Sequence, residues 1–161
     1  MALHEQAVGK SDEWYTPPHV FEALGVKWFD MDVASPGADV VPWIPAQAHL
    51  TKAEPGEWGG FIWMNPPFGG RNGLVPWLDK FAAHAWGICL IPDRTSAPWW
   101  QKFIPRCNLV LFVSPKLKFI SGDGTPNSSP AQGTCLCAIG TPAEQALYRA
   151  SKTLGTLMVP H

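Results

Sequence analysis

Short apolar runs alternate along this chain with segments of helical spacing, and this alternation constrains the fold more than any other feature. Residues 61–64 (FIWM), 87–91 (GICLI) and 109–113 (LVLFV) each have the length of one buried strand. Residues 74–86 lie between the first two runs and repeat apolar side chains at helical spacing. The pattern predicts an α/β domain with a mixed, mostly parallel sheet and helices on both faces.

Three further runs are predicted as strands: residues 27–33 (KWFDMDV), 40–44 (VVPWI) and 134–139 (TCLCAI). No helical segment separates residues 109–113 from 134–139, so these two strands are expected to pair antiparallel. Residues 45–60 and 120–133 are predicted to be loops. One domain is expected over residues 13–161, after a flexible tail at residues 1–12.

Helix start signals complete the pattern of elements. Thr16, Ser96 and Thr141 are hydroxyl residues close to a proline, and each is predicted to cap the start of a helix. The first of these helices should stop at Gly25, and the last should open with a capping box between Thr141 and Glu144.

Charge is unevenly distributed although the net charge is only −1. Residues 1–70 hold nine acids and three bases, whereas residues 71–161 hold nine bases and four acids. A basic C-terminal half is suited to phosphates, but chance clustering on a solvated surface explains the distribution equally well.

Cysteine spacing and hydropathy predict neither a metal site nor a membrane span. The four cysteines lack the paired spacing of a zinc site and are expected to be reduced, buried residues. No apolar run approaches the ~18 residues that cross a membrane. The polar N-terminus is unlike a signal peptide, so a cytoplasmic location is expected.

The run FIWM leads directly into Asn65-Pro66-Pro67-Phe68. The Asn65 side-chain carbonyl and the Pro66 backbone carbonyl are two acceptors on a stiff turn, which can hold the two hydrogens of an amino group. Phe68 offers a flat face for a planar heterocycle. The residues alone also fit a plain Pro-Pro turn that ends a strand. Asp32 and residues 93–95 also follow predicted strands, so they should converge with Asn65 at one sheet edge.

The NPPF motif after an apolar strand resembles the signature of S-adenosylmethionine-dependent amino-methyltransferases. Four further motifs occur in an order similar to a bacteriophage-type DNA N-6-adenine methyltransferase family: WYTPP (14–18), FDMDVAS (29–35), PDRT (92–95) and KLKF (116–119). The resemblance covers about residues 12–140. It implies a single-domain Rossmann-like methyltransferase fold, with residues 13–161 as the catalytic domain and residues 120–133 as a DNA-recognition loop.

The resemblance also assigns roles to residues. The catalytic set that it implies is Asn65, Pro66, Pro67 and Phe68. The residues expected to bind S-adenosylmethionine are Trp14, Tyr15, Thr16, Pro17, Asp30, Asp32, Ala34 and Asn65. The residues expected to contact DNA are Arg71, Arg94, Lys116 and Lys118, with Lys102 and Arg106 as further candidates. The family's cofactor loop is usually rich in glycine, whereas residues 32–39 contain only Gly37.

The implied activity is transfer of a methyl group to the amino nitrogen of a flipped-out adenine in double-stranded DNA. The implied protein is a monomer or weak homodimer in the cytoplasm of a bacterial host, with no metal and no membrane partner. Two alternatives remain. One is an amino-methyltransferase that acts on cytosine, RNA or protein glutamine. The other is a degenerate methyltransferase fold that binds DNA without chemistry.

Overall fold

The computed structural model describes residues 14–52, 54–68, 73–121 and 132–161. Its strands are β1 (Trp14–Tyr15), β2 (Phe29–Asp32), β3 (Ala46–His49), β4 (Ile62–Met64), β5 (Gly87–Pro92), β6 (Leu109–Val113), β7 (Ile120–Ser121), β8 (Thr134–Ile139) and β9 (Gly155–Met158). Its helices are α1 (Pro18–Leu24), α2 (Val75–His84), α3 (Pro98–Phe103) and α4 (Thr141–Ala150), and a 3-10 turn at Ile104–Arg106 follows α3.

Seven strands form one sheet in the order β3-β2-β4-β5-β8-β6-β9. The first four strands are parallel to one another. Strand β8 is antiparallel to both β5 and β6, and β9 is antiparallel to β6. The predicted α/β class with a mixed sheet is therefore confirmed, and the arrangement is compatible with a methyltransferase-like fold. The sheet is not mostly parallel as predicted, because three of its six strand pairings are antiparallel.

Each face of the sheet has its own apolar core. Ile88 and Leu90 of β5 pack on the face covered by α1 and α4. Cys89 and Ile91 of the same strand pack on the opposite face, which α2 and α3 cover. This alternation follows from the period of two in a strand, and it places helices on both faces as predicted.

The predicted strand at residues 40–44 is wrong. The chain turns there instead, and the Val41 N–H donates a hydrogen bond to the Gly37 carbonyl at 3.2 Å. Val41 and Ile44 are buried in the core beneath α1 and α4, so their apolar character serves packing and not a strand ladder. The neighbouring strand is β3, which lies inside the predicted loop at residues 45–60. Its sequence, AQAH, gives little signal because it is a partly exposed edge strand.

The predicted helix caps are also wrong. Helices α1, α3 and α4 begin after Pro17, Ala97 and Gly140, and none has a capping hydrogen bond from a side chain. Each of these helices has a proline within its first two positions, which removes one N–H that would otherwise need a partner. The stop of α1 at Gly25 is confirmed by its left-handed backbone, with φ of 63°.

The predicted antiparallel pair of residues 109–113 and 134–139 is confirmed, with Val110 opposite Cys137. The predicted loop at residues 120–133 is described only at its two ends. Its first two residues form β7, which pairs antiparallel with β1. Residues 122–131 and the predicted tail at residues 1–12 lie outside the described residues.

Candidate active site

An open cleft lies where β2 and β4 end, at the carboxyl edge of the parallel strands. Its empty volume is about 710 Å³. Parallel α/β sheets bind ligands at this edge, because the loops that leave the strands open a crevice there. Asp32 ends β2 and Asn65 follows β4, and both line the cleft. Residues 93–95, which follow β5, do not line it.

The side chain of Asn65 is oriented by a hydrogen bond. Its Nδ2 donates to the Trp14 carbonyl oxygen at 2.8 Å. Since a carbonyl accepts only from the amide nitrogen, this contact fixes which end of the side chain is the oxygen. Within the described part of the chain, the Asn65 Oδ1 accepts no hydrogen bond, so it is available to a ligand in the cleft.

Asp32 is the buried acid of the cleft. The residue is 1% exposed. Burial raises the pKa of its carboxyl from the usual 3.8 to about 7, although hydrogen bonds from the Ala34 N–H and the Ser35 side chain act in the opposite direction. A buried carboxylate has lost its hydration, so a cationic group that enters the cleft would stabilise its ionised form.

Two neighbouring side chains support Asp32. The Ser35 Oγ lies 2.8 Å from the His49 Nδ1, and the same nitrogen lies 3.7 Å from the Asp32 Oδ2. Burial lowers the pKa of His49 below its ordinary 6.5, so its imidazole is neutral at pH 7. The three residues therefore form a polar cluster at the ends of β2 and β3 without a permanent positive charge.

The loop after β2 is built around Ser35 and its one glycine. The Gly37 N–H donates to the Ser35 Oγ at 3.0 Å. Gly37 has φ of 122°, a backbone region that L side chains rarely adopt. A serine and one glycine thus form the turn where the family pattern has several glycines, and Ala34, Ser35 and Pro36 line the cleft.

Strand β1 forms the opposite wall. Trp14 and Tyr15 pair with Ser121 and Ile120 of β7, and they line the cleft together with Thr16. Thr16 is fully buried, and among the described residues its Oγ1 has no hydrogen-bond partner. The indole Nε1 of Trp63, another fully buried lining residue, has none either. Unsatisfied buried polar atoms in a cleft mark a place where a ligand supplies the missing partner.

The other predicted site residues lie at different positions. Pro17 and Pro66 are buried and do not line the cleft, whereas Pro67 is exposed and does. Phe68 is half-buried against the core under α2 and α3. The carboxylate of Asp30 accepts a hydrogen bond from the Phe61 N–H at 2.6 Å, so the structure does not bring it to the cleft.

The predicted DNA contacts are spread along one half of the sequence. Arg94, Lys116 and Lys118 are exposed, and the Arg94 Nε donates to the Gln132 Oε1 at 2.6 Å. Arg106 lies 4.0 Å from Asp79, an exposed pair that contributes little to stability. Arg71 lies outside the described residues.

A comparison with models of protein families shows which family the chain belongs to. The model of the DNA N-6-adenine-methyltransferase (Dam) family matches residues 5–151, which include every residue of the cleft. The chain belongs to this family. No curated protein and no solved structure matches it significantly. The resemblance drawn from NPPF and the four accompanying motifs is therefore confirmed.

Membership of the Dam family implies methylation of adenine N6 in DNA at the level of the family. DNA methyltransferases generally use S-adenosylmethionine as their methyl donor. The cleft fits such a cofactor, because it combines a buried carboxylate, aromatic walls and two buried polar atoms without partners. In the described ranges, no group of His, Cys, Asp and Glu side chains could hold a metal ion, and no helix could span a membrane.

Sequence reasoning missed half of the residues that line the cleft of this Dam-family protein. The missed residues are Ser35, Pro36, Val41, Ile44, Lys52, Trp63 and Trp77. Ser35 and Pro36 could have been found from their place directly after the Asp32 strand. Trp63 and Trp77 could not, because in sequence they are indistinguishable from core residues of a strand and a helix.

Proposed function

We propose that this protein transfers a methyl group from S-adenosylmethionine to the N6 amino group of a flipped-out adenine in double-stranded DNA. The observation that carries the proposal is the hydrogen bond from the Asn65 Nδ2 to the Trp14 carbonyl. It presents the side-chain oxygen of the NPPF motif as an acceptor in a cleft whose other groups suit the cofactor.

Asn65 acts on the amino group of the base. Its Oδ1, with the backbone carbonyl of Pro66, accepts hydrogen bonds from the two amino hydrogens. These bonds increase the electron density on the nitrogen and hold it in one orientation. The prolines at 66 and 67 keep the turn rigid, so little entropy is lost when the base enters.

The cleft residues bind the cofactor. S-Adenosylmethionine supplies an electrophilic methyl group on a sulfonium sulfur when it is bound. The buried carboxylate of Asp32 attracts the positive charge of that molecule, and Trp14 and Tyr15 form an aromatic wall. Thr16 and Ala34 border the same cleft. Pro17 does not line the cleft, but its ring restricts the backbone next to Thr16 and so helps to hold Thr16 in position.

DNA reaches the site by base flipping, because the amino group of an adenine stacked inside a duplex cannot enter the cleft. Phe68 directly follows the two prolines and offers its exposed part as a stacking surface for the flipped base. Arg94, Lys116 and Lys118 are exposed cations that contact phosphates on either side of the target. Arg71 is a further proposed contact.

The test is transfer of labelled methyl groups to duplex DNA by the wild type and by Asn65→Ala. Loss of one positioned electrostatic contact costs about 100-fold or more in rate, and the variant should show a loss of that size. Gln145→Ala is the control, since Gln145 is an exposed amide in α4 and does not line the cleft. It should retain activity.

The outcomes separate the alternatives. Transfer to RNA or to protein in place of DNA would move the function to another substrate with the same amino-group chemistry. Full activity of Asn65→Ala would contradict the catalytic role given to this residue. A wild type that binds S-adenosylmethionine and DNA but transfers no methyl group would support a fold that binds without chemistry.

A further inference from the structure

Trp63 is a buried donor without an acceptor. The residue is fully buried, it lines the cleft, and its indole Nε1 has no hydrogen-bond partner among the described residues. An indole N–H can only donate, so the partner that would satisfy it must carry a lone pair. A buried donor left unsatisfied costs about 1–3 kcal/mol, which is a reason to expect that a ligand supplies the acceptor.

The ring of Trp63 is held in place by its neighbours. Phe21 of α1 packs edge-on against it, with ring centroids 4.8 Å apart, and the ring of Phe29 is tilted against it with centroids 5.9 Å apart. The indole thus packs against two aromatic rings of the core. Because such packing restricts rotation, the direction of its N–H is set by the fold.

The surroundings of Trp63 narrow the chemistry of the missing acceptor. Trp63 lies directly opposite Asp32 in the parallel register of β2 and β4, so both side chains project from the same face of the sheet. An acceptor on the ligand would therefore sit close to a buried carboxylate. A charged acceptor avoids net repulsion at this position when the same part of the ligand also carries a positive charge.

Other groups in the cleft agree with a zwitterionic ligand. Thr16 is fully buried and its Oγ1 has no partner in the part of the chain that the structure describes, so its hydroxyl offers a second donor. Asp32 and Lys52 are the two charged side chains among the described lining residues, one for each sign of charge. An amino acid carries an ammonium and a carboxylate on one carbon, which matches this pairing of groups.

We propose that the Trp63 indole N–H donates to the α-carboxylate at the amino-acid end of the cofactor, while Asp32 receives its α-ammonium. The proposal rests on the proposed function, because it assigns the orientation of S-adenosylmethionine in the same cleft. It makes Trp63 a cofactor-binding residue that recognises the amino-acid end and not the nucleoside end.

The test compares two ligands that share a nucleoside but differ at the amino-acid end. S-Adenosylhomocysteine has the ammonium and the carboxylate, whereas 5′-methylthioadenosine has neither. Binding of each is measured by isothermal titration calorimetry with the wild type, Trp63→Phe and Trp58→Phe. Trp58 is the matched control, because its Nε1 also has no partner within the described ranges but it does not line the cleft.

Trp63→Phe keeps an aromatic ring and removes the N–H. It should weaken S-adenosylhomocysteine at least about tenfold, as expected for loss of one hydrogen bond to a charged group. The affinity for 5′-methylthioadenosine should stay the same, and Trp58→Phe should change neither. Equal weakening of both ligands would place the indole at the nucleoside end and overturn the proposal, as would unchanged binding of both.

Failure of this proposal can be told apart from failure of the proposed function. A wild type that binds neither ligand would refute the proposed function, and this inference with it. If Trp63→Phe does not fold, Thr16→Val provides the second variant, since it removes the second buried donor that lines the cleft without a partner among the described residues, with almost no change in volume. It should also weaken S-adenosylhomocysteine selectively, and equal effects on both ligands would count against the zwitterion assignment.

Discussion

Replacement of Asp32 by Asn is expected to stabilise the fold above pH 7 while it weakens cofactor binding. Asp32 is 1% exposed, and burial raises the pKa of its carboxyl from 3.8 to about 7. The folded state therefore holds this proton more tightly than the unfolded chain does. As pH rises from about 4 to 7, the unfolded chain releases the proton first, so the wild type loses stability.

The size of the effect follows from the two pKa values. The folded state binds the Asp32 proton more than a thousandfold more tightly than the unfolded chain does, and each tenfold factor is worth ~1.4 kcal/mol. The free energy of unfolding of the wild type therefore falls by about 4 kcal/mol in all. The loss is complete above the folded pKa of about 7. At pH 5.5 roughly half of it has developed, so the advantage of Asp32→Asn over the wild type should grow by about 2 kcal/mol between pH 5.5 and 8.5.

The assay is urea unfolding of both proteins at these two pH values, with the free energy of unfolding extrapolated to water. The change in the difference with pH is the diagnostic quantity, because constant effects of the amide cancel. Glu22→Gln, an exposed carboxylate in α1, controls for the loss of one negative charge. The prediction fails if the difference in free energy of unfolding between the two proteins does not change with pH. It also fails if the wild type becomes more stable relative to the variant as pH rises.

Two further predictions concern the core and the DNA contacts. Phe81→Ala should lower the free energy of unfolding by about 3–5 kcal/mol, measured in urea, because Phe81 is fully buried and packs edge-on against Phe103; a loss below about 1 kcal/mol would contradict this packing. Lys118→Gln should weaken DNA binding at all sequences and reduce the slope of log K against log salt by about 1. An unchanged slope in a fluorescence-anisotropy titration would remove Lys118 from the phosphate contacts.

The interior strands could be predicted from the sequence because their composition is set by burial on both faces. Residues 109–113 and 134–139 are strands with the predicted bounds, and both consist mainly of buried residues. Edge strand β3 could not be predicted, since a strand with one neighbour and partial exposure carries no continuous apolar run. The segment that precedes β3, residues 40–44, has the composition of a strand because it contains Val41 and Ile44. These side chains are apolar because they pack into the core, and the backbone there forms turns.

The candidate site was predictable where polar residues follow apolar strands. Asp32 and Asn65 were found this way, and both line the cleft. Trp63 was not, because its apolar ring belongs to the core, and in sequence nothing distinguishes it from any other core residue of a strand. Lys52 was missed as well, since it comes from a loop that only the parallel pairing of β3 with β2 brings to the cleft.

The most direct test of the central claim is the identity of the methylated nucleoside. Unmethylated duplex DNA is incubated with the protein and S-adenosylmethionine, then digested and analysed by mass spectrometry. N6-methyladenine is expected, with no methylated cytosine. Methylcytosine would contradict the choice of base, and the absence of any methylated nucleoside would contradict the assignment of DNA as the substrate.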